Sequence, residues 1–135
     1  MKRLLFVCVE NSNRSQMAEA FARLAGGERV EAYSAGSKPS GRVNPRAIAS
    51  MKEIGYDLSV HRSKSLEEVP AGPYEAVVTM GCGDACPQVA TRLREDWSIP
   101  DPKELEPERF AEVRDRIRAE VDSLLSRLLT DSTRT

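Results

Sequence analysis

The chain has 135 residues, a formal net charge of −1 and 40% hydrophobic residues. That length suffices for one domain with a proper core, and the balanced charge argues against non-specific binding to nucleic acid or to an anionic membrane. No apolar run approaches the length of a spanning helix, so a soluble cytoplasmic protein is expected, whose three cysteines are catalytic or metal-binding rather than structural disulfides.

Lys2 to Val9 reads as a buried parallel strand, because Leu4-Leu5-Phe6-Val7 is a continuous apolar run. After the loop Cys8-Val9-Glu10-Asn11-Ser12-Asn13-Arg14-Ser15, the residues Met17, Phe21 and Leu24 recur at helical spacing beside Ala18, Ala22 and Ala25. Gly26-Gly27 stops that helix. Val30 to Ser34 predicts a short strand ended by Gly36. Asn44 caps and Pro45 opens a second helix, with Ile48, Met51 and Ile54 on its buried face and Gly55 at its end. Ser65-Leu66-Glu67-Glu68 has the pattern of a capping box over one helical turn. Glu75 to Met80 is another buried strand. A long loop then leads to the last helix, Pro107 to Leu129, with Phe110, Val113, Ile117, Val121, Leu124 and Leu128 in one stripe and its arginines on a solvated face. The alternation predicts an α/β sandwich on a small parallel sheet, a single domain over 1–129 and a frayed tail over 130–135.

The loop after the first strand carries the chemistry. A strand ending at Cys8 and a helix beginning near Ser15 bring the loop amides and Arg14 to one point above a parallel strand, where open sheets bind ligands. The N–H groups along Glu10, Asn11, Ser12 and Asn13, with the Arg14 guanidinium, suit an oxyanion. The Cys-x5-Arg spacing alone is weak evidence in an arginine-rich chain. Its strand–loop–helix setting is what reads Cys8 as a nucleophile and not as an inert buried cysteine. A helix N-terminus and a neighbouring guanidinium favour the thiolate form of a cysteine. Ser15 Oγ is placed to hydrogen-bond the sulfur, and Asn11 suits the left-handed backbone of an N–H nest.

Gly81-Cys82-Gly83-Asp84-Ala85-Cys86-Pro87 holds the other two cysteines. On a regular helix, Cβ atoms at i and i+4 lie about 5–6 Å apart, whereas a disulfide wants about 3.8 Å. Bridging this pair therefore requires the segment to bend, which Gly81, Gly83 and Pro87 permit. A redox pair and two unpaired loop cysteines both fit. Zinc is the weaker alternative, since it needs four ligands, the chain offers only three Cys and one His, and using Cys8 would sacrifice the anion loop. Asp101-Pro102 is either an ordinary turn or the carboxyl that protonates a departing oxygen. His61, the single histidine, reads as a packed or surface imidazole.

Over nearly its full length the chain resembles the arsenate reductases built on the low-molecular-weight protein tyrosine phosphatase fold. The resemblance lies in Cys8-Val9-Glu10-Asn11-Ser12-Asn13-Arg14-Ser15-Gln16-Met17-Ala18-Glu19, Tyr33-Ser34-Ala35-Gly36, Asn44-Pro45-Arg46-Ala47-Ile48, Val77-Val78-Thr79, Cys86-Pro87 and Asp101-Pro102. It implies a three-layer α/β sandwich with a four-stranded parallel sheet flanked by helices, no cofactor, and a monomer. It also implies a thiol relay. Cys8 attacks arsenate held by Arg14 and the loop, Asp101 protonates the leaving oxygen, and Cys82 attacks Cys8 to expel arsenite. The Cys8–Cys82 disulfide then passes to Cys82–Cys86, which thioredoxin reduces.

Three departures accompany this resemblance. Cys82 and Cys86 are closer together than in thioredoxin-coupled members, and Met80-Gly81-Cys82-Gly83 is similar to a glutaredoxin-coupled branch, so both donors stay open. Asn11, Glu19 and Ser34 match a potassium site found in some members, but Arg62 and Lys64 stand where a neutral and an acidic ligand are expected, which predicts a basic side chain in place of the ion. Lys103 follows Pro102 where phosphotyrosine phosphatases typically place an aromatic residue, which weakens a tyrosine phosphatase reading. A non-enzymatic redox or metal sensor built on Cys82 and Cys86 would leave the anion loop unexplained.

Overall fold

A computed structural model describes residues 1–81 and 89–130, so Cys82, Cys86 and the tail beyond Thr130 lie outside the described residues. Four strands form one parallel sheet: β1 (Lys2–Cys8), β2 (Val30–Gly36), β3 (Tyr74–Met80) and β4 (Thr91–Asp96), in the order β2-β1-β3-β4. Three helices accompany them: α1 (Arg14–Gly26), α2 (Pro45–Lys52) and α3 (Pro107–Thr130).

The sheet buries both faces, as parallel strands require. Alternate residues of β1 divide between two apolar clusters. Leu4, Phe6 and Cys8 join α1, α2 and α3 in the larger one, whereas Leu5 and Val7 pack with Tyr74, Val77 and Ala35 under Leu66 and Val69. The Ser65 capping box is present and opens the short 3₁₀ turn Leu66–Glu68. Asn44 caps α2 by accepting from the Arg46 N–H, with Pro45 at the first position.

Some expectations shift. Leu24 is 55% exposed, because the buried face of α1 runs through Met17, Ala18, Phe21 and Ala22 and has rotated past it by the last turn. Arg114 is not on a solvated face. It is buried between α3 and α2, where its Nη1 donates to Ser50 O at 2.8 Å and to Glu53 Oε1 at 2.9 Å. The fourth strand, implied only by the resemblance, lies inside what reads as a long loop. Its sequence, Thr91-Arg92-Leu93-Arg94-Glu95-Asp96, alternates half-buried with exposed side chains on the sheet edge and offers no apolar run.

The arrangement fixes where a ligand can sit. β1 is flanked by β2 and β3, with Cys8 in register with Gly36 on one side and Met80 on the other. The chain leaves both neighbours at the same end, which opens a crevice at the carboxyl edge of β1.

Candidate active site

Cys8 closes β1 and α1 begins at Arg14, so five residues must turn the chain through the loop. Asn11 makes the turn with φ of 51°, the left-handed region that asparagine tolerates better than most side chains. The carbonyls of Val9, Glu10 and Ser12 accept from the N–H groups of Lys38, Ser40 and Asn44 at 2.8, 3.0 and 3.1 Å. In a planar trans peptide the N–H points opposite to the C=O. The amides of Glu10, Asn11 and Asn13 therefore turn away from that segment. Gly36 lets the loop lie against β2: a β-carbon there would stand 2.6 Å from Val9 O.

The loop lines a cleft of about 290 Å³ with Cys8, Val9, Glu10, Ser12, Asn13, Arg14, Gly81 and Asp101 at its wall. Arg14 is buried, its Nη1 donating to Ile99 O at 2.9 Å and its Nη2 standing 3.9 Å from Asp101 Oδ2. Asp101 sits at the rim with its side chain 43% exposed, and its Oδ1 accepts from the Lys103 N–H. This is wetter than the partly desolvated cleft expected for a proton donor. Lys103 Nζ bridges to Glu10 Oε2 at 3.2 Å, so the Glu10 carboxylate is turned to a cation at the mouth and only its backbone is suited to an anion. That hydrogen bond holds the Lys103 ammonium above its ordinary value.

Beneath the sulfur runs a chain of hydrogen bonds whose polarity the geometry dictates. Asn11 Oδ1 accepts from the Lys64 N–H at 2.9 Å, so Asn11 Nδ2 is the atom that donates to Ser15 Oγ at 2.8 Å. Ser15 Oγ is thereby free to give its own proton to Cys8 Sγ, 2.9 Å away, as it must when Cys8 is a thiolate. Gln16 Nε2 faces three oxygens, Asn11 Oδ1, Asn11 O and Arg62 O, at 2.7–3.0 Å, which fixes its amide orientation. Gln16 Oε1 must then accept from His61 Nδ1 at 2.9 Å, and His61 Nε2 accepts from Tyr56 OH at 2.6 Å. At each step from Tyr56 to Ser15 one donor points toward the sulfur. Hydrogen bonds aligned in this way polarise one another. Gln16, His61 and Tyr56 carry no local sequence signal for this role, since their partners lie up to 46 residues away.

Burial holds the His61 imidazole below its ordinary value, with Arg23 and Lys64 acting the same way and Glu19 opposing. The unfolded chain takes up that proton near pH 6.5, the folded chain only below it. The stabilisation is therefore complete above about pH 6.5 and is lost as the pH falls from there through the lower value of the folded chain. Melting temperature is expected to drop on acidification, and to drop less in His61→Gln, whose amide keeps a donor for Gln16 Oε1. Thermal unfolding across that range checks this; an equal acid drop in both proteins would contradict it.

Behind the loop, Glu19 is buried and crowded by partners. Ser34 Oγ donates to its Oε1 at 2.5 Å and Arg23 Nη2 lies 2.6 Å from its Oε2, with Lys64 Nζ 3.8 Å from Oε1. Arg23 and Lys64, and not the exposed Arg62, are thus the basic residues at this acid. Burial lowers the Lys64 ammonium from its ordinary value. The carbonyl of Arg62 accepts from Lys64 Nζ at 3.0 Å, while the Arg62 side chain turns out to Glu68. Among the described residues no cluster of three or more His, Cys, Asp or Glu side chains could hold a metal ion, and no described helix is long and apolar enough to cross a membrane. Cys82 and Cys86 lie outside the described residues, so neither expected disulfide is placed.

Comparison with known proteins gives the family and the fold. Residues 3–134 match the family described as low molecular weight phosphotyrosine protein phosphatase. A relative from Synechocystis sp., named glutaredoxin arsenate reductase, is 39% identical over 131 residues, covering 95% of this chain and 99% of its own. A solved structure described as an arsenate reductase in the phosphate binding state superposes with a TM-score of 0.86 at 38% identity, over 94% of this chain and 98% of the other. A thioredoxin-dependent arsenate reductase of Corynebacterium glutamicum superposes with a TM-score of 0.79 at 29% identity, over 97% of this chain and 63% of that one.

Proposed function

The chain belongs to the low molecular weight phosphotyrosine protein phosphatase family, and within it we propose an arsenate reductase that works by a three-cysteine relay in the cytoplasm. The observation that carries this reading is the Cys8 sulfur at the foot of an anion cleft, with Ser15 Oγ 2.9 Å from it and Arg14 buried beside it.

In the first step the Cys8 thiolate attacks the arsenic of arsenate, forming an S–As bond, while an oxygen leaves as water with a proton from Asp101. Arsenic stays pentavalent. The loop amides of Glu10, Asn11, Ser12 and Asn13 and the Arg14 guanidinium hold the remaining oxygens as charge shifts onto them. Cys82 thiolate then attacks Cys8 sulfur. The S–As bonding pair passes to arsenic, which departs as arsenite, and a Cys8–Cys82 disulfide remains. Attack of Cys86 on Cys82 frees the Cys8 thiolate and leaves a Cys82–Cys86 disulfide for an external dithiol.

Thioredoxin is the proposed donor, supported by the third cysteine beside Pro87 and by the thioredoxin-dependent structural neighbour. The glutaredoxin-named relative supports the alternative. The assay is arsenate-dependent NADPH oxidation with thioredoxin and its reductase, set against glutathione with glutaredoxin. Turnover with the first pair, lost in Cys86→Ser, is expected. Full thioredoxin-driven turnover in Cys86→Ser would remove the third cysteine from the relay. With Arg23 and Lys64 beside Glu19 in place of a metal ion, the rate in potassium should equal that in sodium; a several-fold rise with potassium would contradict this.

Hydrolysis of a small aryl phosphate is a side activity of the same loop and Asp101. The Lys103–Glu10 bridge at the mouth replaces the aromatic surface that a phosphotyrosine ring would stack on.

A further inference from the structure

Gly81 directly follows β3 and precedes Cys82, with φ of 77° and its backbone at the wall of the anion cleft. A β-carbon at this position would stand 2.6 Å from Arg14 Nη1, 3.4 Å from Cζ and 3.5 Å from Nη2. A flexible side chain could swing clear of such an atom, but this guanidinium is not free to. It is buried, and Nη1, the atom that would be struck, is the one bonded to Ile99 O at 2.9 Å. Asp101 stands on its Nη2 side.

Two constraints therefore meet at one residue. The positive φ disfavours L side chains in general, and the absence of a β-carbon gives Arg14 its place. The first is a matter of backbone strain, which asparagine largely escapes. The second applies to every residue except glycine.

We propose that Gly81 is a positioning residue for oxyanion binding: its bare backbone is the surface against which the Arg14 guanidinium is set, and any side chain there displaces the guanidinium from the anion. The inference rests on the oxyanion reading of the cleft. It assigns to position 81 an effect on anion affinity, distinct from the thiol chemistry of the adjacent Cys82.

The test uses inorganic phosphate as the probe and measures how strongly it protects Cys8 from iodoacetamide, read on the Cys8 peptide by mass spectrometry. Gly81→Ala and Gly81→Asn are both expected to weaken phosphate binding by about tenfold or more, the size of a lost charge-assisted hydrogen bond. Gly81→Ala should lose more thermal stability than Gly81→Asn, because it adds backbone strain to the displacement. In an Arg14→Lys background the Gly81→Asn change should add less than about twofold, because the group it displaces is gone. Native phosphate affinity in a folded Gly81→Asn protein would overturn the proposal. So would an undiminished effect in the Arg14→Lys background. If phosphate gives no protection even in the native protein, the oxyanion reading itself fails, and the inference with it.

Discussion

In a Cys82→Ser variant, arsenate reduction is expected to fall to background while hydrolysis of a small aryl phosphate keeps its native rate. The split follows from where electrons go. Hydrolysis of a phosphoryl-cysteine needs only the Cys8 nucleophile, the anion loop and a water, and leaves every sulfur in its original oxidation state. Reduction of arsenic needs a second sulfur to attack Cys8, so that the S–As bonding pair leaves with the arsenic. A serine hydroxyl cannot do this. Cys8→Ser, by contrast, should abolish both reactions. Parallel assays of arsenite production and aryl phosphate release decide the matter. Equal loss of both in Cys82→Ser would mean that Cys82 supports the fold or the anion loop and is not a redox partner.

Arg14→Lys is expected to lower kcat/KM for arsenate by about 10²-fold, the usual cost of removing one preorganised donor from a developing oxyanion. Lysine keeps the charge but not the planar fork, and a single ammonium cannot hold Ile99 O and an anion oxygen in the arrangement that Nη1 and Nη2 allow. Ile99 O, whose residue is buried, would also lose its donor. Steady-state kinetics with arsenate, beside phosphate protection of Cys8, measures the effect. A loss in kcat/KM without weaker phosphate binding would place Arg14 in the chemistry alone.

The sequence made the anion loop legible because its signals are local. The apolar run of β1, the helical recurrence of Met17 and Phe21, and the Cys8-to-Ser15 spacing all fall within about one strand, loop and helix. The Asn44-Pro45 cap and the Ser65 capping box are equally local, and both stand as expected. β4 was not legible for a physical reason: an edge strand with alternating charged residues has no buried run to announce it. Nor were Gln16, His61 and Tyr56, because their alignment beneath Cys8 exists only once the segment before β3 folds against the start of α1. His61 reads from sequence as a packed imidazole, and packed it is, but its packing also orients the donors under the sulfur. The bridge from Lys103 to Glu10 spans 93 residues and left no trace in either local pattern.

Electrostatics at this site divide by depth. Near the sulfur, donors are buried and fixed, so salt screens them much less than groups at the surface. At the rim, Asp101 and the Lys103–Glu10 pair are solvated, where ion pairs contribute little to stability and act mainly on what approaches.

The central claim is that arsenate is reduced at the expense of this chain's own thiols, and a single turnover of the reduced protein without any external donor tests it most directly. Mixing fully reduced protein with excess arsenate, then measuring arsenite and mapping disulfides under non-reducing conditions, should give one arsenite per chain, two thiols lost and a Cys82–Cys86 disulfide. Three thiols still free and no arsenite formed would contradict the account.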